Sequence, residues 1–469
     1  METFSVVVIG AGPGGYPAAI RAAQLGASVA LVEKEELGGT CLNWGCIPTK
    51  TLIASSDLYA QMKSCQDLGL SAEKVSFDYR AMVGRKDRTV QTLRTGVQQL
   101  LAANGVKVFK GTASFEGRNR IVVNSQQSPG GSPTTVIGAE RTIIATGAAS
   151  AMPDFLPRHE RVVESRAFLD LKLLPSRVLV LGGGLIGCEF ACMLAQLDVR
   201  VTVVELLEDI LWTLDADVRR TVRQHMEQAL GIRVITGTSL SNLVPDDRQV
   251  RAQAGQEWLE ADLLLAALGR KPVTAALHLA NAGLTANSQG FIEVDEYGRT
   301  QVATVYAIGD VTGGVQLAHA ATSQGLTAAE NACNRRLRKN EKAVPVCIFT
   351  SPEIGTVGLS EREAREKDLE IKTGKYRFAA LGKGLALGHA PGFVKWIADA
   401  STDQLLGAQA VGPHATELIA EATAAIRAEL TAEELADTTH AHPTLSEAWL
   451  EAAHVLVGKP LHFAPKKKI

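Results

Sequence analysis

The apolar positions of the chain fall into a strand–helix alternation that occurs twice. Val6-Val7-Val8-Ile9 is a short continuous apolar run closed by glycines, the pattern of a strand buried on both faces. Helical spacing then runs through Ala23, and Ser28 to Val32 forms a second strand-like run ending on Glu33. The same order returns at Val178 to Leu181, with a helix through Ala195 and then Val201 to Val204 and Glu205. Between the copies, Thr51 to Ala103 reads as mostly helical, and Ser125 to Thr135 reads as a polar surface hairpin loop. Past Gly269 and Arg270 the pattern predicts strands and turns to Asp310, then a long helix from about Ser323 to Arg338. From Val346 a new mixture of strands and helices begins, with no nucleotide signature of its own. The predicted class is α/β, with two Rossmann-like units followed by a mixed C-terminal part.

The turns inside the two repeats carry chemistry. The first is Gly10-Ala11-Gly12-Pro13-Gly14-Gly15 and the second Gly182-Gly183-Gly184-Leu185-Ile186-Gly187. In both, the last glycine and the acid are 18 residues apart (33 − 15 and 205 − 187). Glycines at the first two positions let backbone N–H groups approach a pyrophosphate, and the third allows helix and strand to pack closely. The acid accepts hydrogen bonds from a ribose, while the helix N-terminus favours the anion. One such turn is weak evidence. Two in full strand–helix–strand context, each ending in the acid, predict two dinucleotide sites.

Length and composition narrow the class. At 469 residues the chain exceeds a single core. A formal net charge of −2 argues against a nucleic-acid partner, and no apolar stretch nears the roughly 20 residues of a membrane span. The basic run Lys466 to Lys468 reads as a solvated tail. Met1 and Glu2 lead straight into the first strand with no room for a leader, so a cytoplasmic location is expected. In that reducing compartment a close cysteine pair points to catalysis or metal binding rather than to a structural disulfide.

Five of the seven cysteines, Cys65, Cys188, Cys192, Cys333 and Cys347, lie in apolar or helical surroundings and read as free thiols. Cys41 and Cys46 differ, since they sit in Gly38-Gly39-Thr40-Cys41-Leu42-Asn43-Trp44-Gly45-Cys46-Ile47-Pro48-Thr49-Lys50. Residues five apart in a regular helix are roughly 7.5 Å apart along the axis and about 140° around it. A bond between the two would therefore require a distorted backbone, which Gly45 and Pro48 suit. Zinc is disfavoured, because no further Cys or His ligand lies near, and no metal site is expected. Two unbonded thiols remain the bland alternative.

This segment resembles the redox motif of the pyridine nucleotide-disulfide oxidoreductases with a Cys-x4-Cys active site. The resemblance runs from Val6 to about Phe463 and includes Ala145-Thr146-Gly147, Thr300 with Val305 to Asp310, and His440 to Glu447. It implies an FAD-binding domain at 1–150 completed by 276–345, an NAD-binding domain at 151–275, and a C-terminal dimerisation domain at 346–469. For FAD it assigns Gly10, Gly12, Gly14, Gly15, Glu33, Lys34, Gly39, Thr40, Lys50, Ala113, Thr146, Gly147, Asp310 and the stretch Leu317, Ala318, His319, Ala320. For NAD it assigns Gly182, Gly184, Leu185, Ile186, Gly187, Glu205 and Gly269. Cys41 and Cys46 become a redox-active disulfide, with Cys46 against the flavin and Cys41 exchanging with substrate. Lys50 pairs with Glu189 beside the flavin. His442 is the base and Glu447 its carboxylate, both serving the partner subunit of a homodimer, and the His442–Pro443 peptide is expected to be cis.

Within the family the motif wording is most similar to members that oxidise dihydrolipoyl groups with NAD. Glu205 repels a 2′-phosphate, and no Lys or Arg follows it before Arg219. That branch implies lipoyl domains of acyltransferases or glycine-cleavage proteins as partners. A related NAD(P)H-dependent disulfide or metal-ion reductase, or a non-catalytic flavoprotein subunit, is the competing reading. The chain departs from the family wording at Trp44, Pro17, Ala191 and Cys192.

Overall fold

The computed structural model describes residues 1–125, 134–339, 341–388 and 390–462. Most of the Ser125–Thr135 loop and the basic tail lie outside them. A first sheet is built on the strand Glu2–Ile9, flanked in parallel by Val29–Glu33 and Thr134–Ile144. Lys107–Lys110 extends one side, and an antiparallel meander of Arg120–Asn124 and Thr112–Gly117 extends the other. Val305–Ala307 returns late in the chain to pair with Thr134–Ile144. The second sheet is parallel, in the order Arg233–Ile235, Arg200–Val204, Arg177–Leu181, Leu263–Ala266, Val162–Glu164. A short ribbon, Ala148–Ser150 against Arg270–Pro272, carries the chain between the two units.

The C-terminal part is a five-stranded antiparallel sheet, Val346–Ile348, Glu353–Gly358, Leu405–Gly412, Phe393–Asp399, Ile371–Arg377, packed under the helices Ala415–Arg427 and Glu447–Leu456. Its core centres on Trp396 and Trp449, fully buried with ring centroids 4.6 Å apart. Both indoles donate to backbone carbonyls, of Trp449 and Leu418, so neither buries an unmet N–H.

Three differences from the sequence reading have physical causes. The helical stretch after Thr51 is two helices, Cys46–Lys63 and Tyr79–Ala103, because Gly69 takes a left-handed turn and Asp78 caps the second helix with its carboxylate. The late helix is Ala318–Ala332 rather than 323–338, since Asn331 turns its side chain onto the backbone of Tyr297 and Leu337. The segment from Gly269 to Asp310 is mostly turns and short 3₁₀ pieces, with strands only at Arg270–Pro272 and Val305–Ala307. Pro17 leaves the first helix, Gly15–Gln24, intact. It sits in the first turn, where its missing N–H has no partner to lose.

Candidate active site

The two glycine turns are built alike. A Cβ on Gly15 would lie 1.8 Å from the Gly10 carbonyl oxygen, and one on Gly187 would lie 1.9 Å from that of Gly182. Each third glycine is therefore fixed by helix–strand contact. The middle glycines, Gly12 and Gly184, face open space, with nothing within 4 Å of an added Cβ. Glu33 accepts from the N–H of Ala11 at 2.7 Å and of Glu35 at 2.8 Å. Glu205 accepts from Gly183 at 2.6 Å and from Leu207 at 2.8 Å. Each carboxylate thus closes its own turn, with lone pairs left for a ribose.

The first turn fits a flavin dinucleotide on a further observation. Thr146 Oγ1 is buried without a hydrogen-bond partner beside this turn, the mark of a site completed by a ligand group. Nearby, Arg270 Nε reaches Asp310 Oδ2 at 3.3 Å, while burial pushes the Asp310 carboxyl up against that guanidinium's pull. The sequence reading used Arg270 only as a segment boundary and gave it no role at the site, with the adjacent Gly269 its one signal. Leu317 caps the helix that starts at Ala318, and His319 Nε2 is 2.6 Å from the Pro345 carbonyl. Ala113 is buried on its strand, whereas Lys34 and Thr40 are exposed.

Cys41 lies on the short helix Gly39–Trp44, and Cys46 opens the helix Cys46–Lys63. Gly45 (φ −138°, ψ −108°) separates them, and a Cβ there would press on the Thr40 carbonyl oxygen at 3.1 Å. Both are thiols in this structure, as are the other five cysteines. Cys188 and Cys192 are buried, and Cys65, Cys333 and Cys347 are partly so.

The break brings the two thiols into hydrogen bonding with each other, and their acidities split. The bond from Cys41 lowers Cys46 to about 7, with Lys50 assisting and with burial and Glu189 opposing. Cys41 is pushed far up, first by donating that bond and then by burial. A helix N-terminus also favours the Cys46 thiolate.

Lys50, one turn on, is held by two other parts of the chain. Its Nζ lies 2.7 Å from Glu189 Oε2 on the helix Leu185–Gln196. The other Glu189 oxygen accepts from the Phe349 N–H at 2.9 Å, and the Phe349 ring lies 4.6 Å from Nζ. Ala191 and Cys192 fill the core behind it. Trp44 packs against Arg166. Its ring carries the Arg166 guanidinium at 3.7 Å, and Arg166 also pairs with Glu35 at 3.1 Å. Sequence gave no sign of Arg166 or Phe349, because both arrive by long-range packing.

His442 Nδ1 is 2.8 Å from Glu447 Oε1, and the other Glu447 oxygen accepts from the Thr444 N–H at 2.8 Å. Burial opposes ionisation of Glu447, but the bonds from Thr444 and His442 together hold it below the usual carboxylate range. The His442–Pro443 peptide is cis. The His442 side chain is 76% exposed, and among the described residues no hydrogen bond joins it to either cysteine within one chain. His440 is pinned between the Thr438 carbonyl and Glu421, at 2.9 and 2.6 Å, in a supporting place.

Comparison with known proteins identifies the family. Residues 4–325 match the pyridine nucleotide-disulphide oxidoreductase model, and residues 344–453 match that family's dimerisation domain. The chain belongs to the pyridine nucleotide-disulphide oxidoreductases, flavoenzymes that work with FAD and a nicotinamide nucleotide. Among its relatives is a protein of Chlamydia pneumoniae named dihydrolipoyl dehydrogenase, 42% identical over 465 residues and covering 99% of both chains. A dihydrolipoyl dehydrogenase of Haloferax volcanii is 42% identical over 97% of each.

Similar solved structures include LpdA of Mycobacterium tuberculosis, with TM-score 0.89 and 27% identity, covering 97% of this chain and 100% of that one. The Cu(II) complex of the HOCl-induced flavoprotein disulfide reductase RclA of Escherichia coli follows at TM-score 0.87 and 29% identity, covering 97% and 100%. Among the described residues no helix is long and apolar enough to cross a membrane.

Proposed function

We propose that the chain is a dihydrolipoyl dehydrogenase, oxidising protein-bound dihydrolipoyl groups while NAD is reduced. The observation that carries this reading is the Cys41–Cys46 pair set across the helix break at Gly45 beside the Lys50–Glu189 ion pair, with Cys46 lowered to about 7 and Cys41 raised. Oxidised to a disulfide, such a pair has a good leaving group in Cys46, and attack falls on Cys41. His442 takes the proton from one substrate thiol, with Glu447 orienting the ring and stabilising its charge. The substrate thiolate bonds to Cys41 Sγ and Cys46 leaves as thiolate. The second substrate thiol then displaces Cys41, its own proton passing to the departing Cys41 sulfur while the first stays on His442, and the oxidised lipoyl group departs. Lys50 stabilises the Cys46 thiolate, and Gly12, Glu33, Thr146 and Asp310 are the residues to hold FAD. FAD, when bound, would supply the two-electron path from the dithiol to the nicotinamide nucleotide whose pyrophosphate and ribose are held at Gly184 and Glu205.

The exposed His442 and the dimerisation-domain match support a homodimer in which His442 and Glu447 serve the partner's cysteines. Lipoyl domains of acyltransferases or glycine-cleavage proteins are the partners this reading requires. The deciding experiment is a steady-state assay with dihydrolipoamide against NAD and NADP, alongside NADH with glutathione disulfide, mercuric ion and Cu(II). Turnover of dihydrolipoamide with NAD, well above all other pairs, supports the proposal. Preferred turnover of a metal ion or of glutathione disulfide refutes it in favour of a reductase.

A further inference from the structure

A second concentration of chemistry lies away from the cysteines, beside the late edge strand Val305–Ala307 of the first sheet. A pocket of about 260 Å³ opens there, and four of its lining residues are arginines: Arg141, Arg299, Arg335 and Arg336. No carboxylate lines it. Arg335 pairs with Glu330 at 3.0 Å and Arg299 with Asp295 at 3.3 Å, outside the pocket wall. Arg141 and Arg336 have no ion-pair partner among the described residues. Gathering four guanidiniums costs self-repulsion, which an anion would relieve.

The cluster is held in place rather than assembled by chance contact. The Tyr297 ring has the Arg299 guanidinium 4.9 Å and the Arg336 guanidinium 5.1 Å from its centroid. The loop bearing Arg336 is stapled to the Tyr297 turn by buried Asn331, which donates to the carbonyls of Tyr297 and Leu337 and accepts from the Leu337 N–H. On the floor, Tyr306 gives its hydroxyl hydrogen to the Asn331 carbonyl at 3.1 Å. Arg299 and Arg141 both act on that hydroxyl electrostatically, so their fields converge inside the pocket, although burial dominates its acidity.

We propose that this pocket is a binding site for a compact phosphate-class anion carrying two linked phosphate groups. Arginine forks match phosphate oxygens in pairs, and a diphosphate uses more than one fork at once. The volume lies just below the ~300–1,000 Å³ of drug-sized ligand sites, which suits a diphosphate without a base. With Arg299 and Arg336 already placed about the Tyr297 ring, that ring is not a free platform for a nucleobase. The site is independent of the redox reading, and none of its residues belongs to the catalytic or cofactor machinery above.

The test is calorimetric titration of the holoenzyme with inorganic pyrophosphate, with NAD saturating so that its own pocket is filled. Parallel titrations use inorganic phosphate, sulfate and a nucleoside diphosphate. Saturable pyrophosphate binding is expected, at least ten-fold tighter than phosphate or sulfate. The double variant Arg141→Ala/Arg336→Ala should weaken it at least ten-fold, with FAD content and dihydrolipoamide turnover unchanged. Arg141→Lys, which keeps the charge and loses the fork, should weaken it to a lesser degree. Tighter binding of the nucleoside diphosphate that the double variant abolishes would overturn the diphosphate assignment in favour of a nucleotide. The site itself fails if no pyrophosphate binding saturates, if the affinity merely tracks ionic strength, or if the folded double variant binds like wild type.

Discussion

Lys50 and Glu189 are joined by a 2.7 Å ion pair that ties the cysteine-bearing helix to the second nucleotide unit. The two act on Cys46 with opposite sign, Lys50 lowering its pKa and Glu189 raising it. In the two-electron-reduced holoenzyme, the long-wavelength absorption of thiolate against flavin should therefore titrate at higher pH in Lys50→Met. In Glu189→Gln it should titrate at lower pH. Unmoved midpoints in both variants would detach this pair from the thiolate. The same band should vanish in Cys46→Ser and appear without reductant in Cys41→Ser.

His442→Ala should lower kcat with dihydrolipoamide by about 10²–10⁴-fold, the usual worth of a general base. Glu447→Gln, which keeps an acceptor for His442 but loses the charge, should lose less than His442→Ala. Electron transfer from NADH to an artificial acceptor does not need this proton and should remain within about two-fold in both, on the same reasoning. A parallel fall in that second assay would mean the variants damage flavin binding instead.

Preference for NAD follows from Glu205. A 2′-phosphate placed against this carboxylate meets like charge, a penalty of several kcal/mol, so kcat/KM should favour NAD by about 100-fold or more. Glu205→Gln with Leu206→Arg should narrow that ratio, since Gln keeps an oxygen for the turn and Leu206 is 66% exposed. Equal use of both nucleotides by wild type would remove Glu205 from the specificity argument.

Subunit mixing tests the shared site. Cys41→Ser and His442→Ala homodimers should each be inactive with dihydrolipoamide, whereas exchanged heterodimers contain one site with both groups intact. Activity approaching half that of wild type per heterodimer is expected. Inactive heterodimers, under exchange conditions that wild type survives, would place His442 with its own chain's cysteines.

Much of this was readable in the sequence for a physical reason. The glycine turns, Glu33, Glu205 and the Cys41–Cys46 segment are local patterns, set by what one strand-to-helix connection requires. His442 and Glu447 were legible only through the family resemblance of the stretch His440 to Glu447, and the structure brings the two side chains to 2.8 Å of each other. What local pattern could not supply were contacts between distant segments. Phe349 holding Glu189, Arg270 holding Asp310, and Arg166 on Trp44 each join residues that no periodicity relates. Helix limits slipped at Asn331 and at the break before Asp78, where a single side chain outweighs the hydrophobic repeat.

Lys395 is another such long-range feature. Its Nζ, 2% exposed, bonds Asp215, Asp217 and Glu361 at 3.1, 2.9 and 2.7 Å, linking the second unit to the C-terminal sheet and filling the space among the carboxylates. Lys395→Met takes the ion-pair partner from buried Asp215, whereas Asp217 keeps Lys375 and Glu361 keeps Arg365, and should cost about 3–5 kcal/mol, read as a lower melting temperature of the holoenzyme at neutral pH. Burial opposes ionisation of Asp217, but Lys395 and Lys375 overcome it and hold the carboxyl low. A depressed carboxylate stabilises above its unfolded pKa and loses that contribution as pH falls through its folded value. The gap between wild type and variant should thus shrink below about pH 4. A pH-independent gap would point to lost packing alone.

The stack of Arg166 on Trp44 bears on any attempt to transplant this chemistry. Trp44, one of the four residues between the two cysteines, is clamped by a guanidinium from the helix Ser165–Leu169, itself steadied by Glu35, with about 0.5–2 kcal/mol at stake in the ring contact alone. A graft of Gly38 to Lys50 into a foreign flavoprotein scaffold would carry the sulfurs but leave their brace behind. The minimal portable cassette is discontinuous: the loop, Glu35 beside it, and an arginine more than a hundred residues downstream.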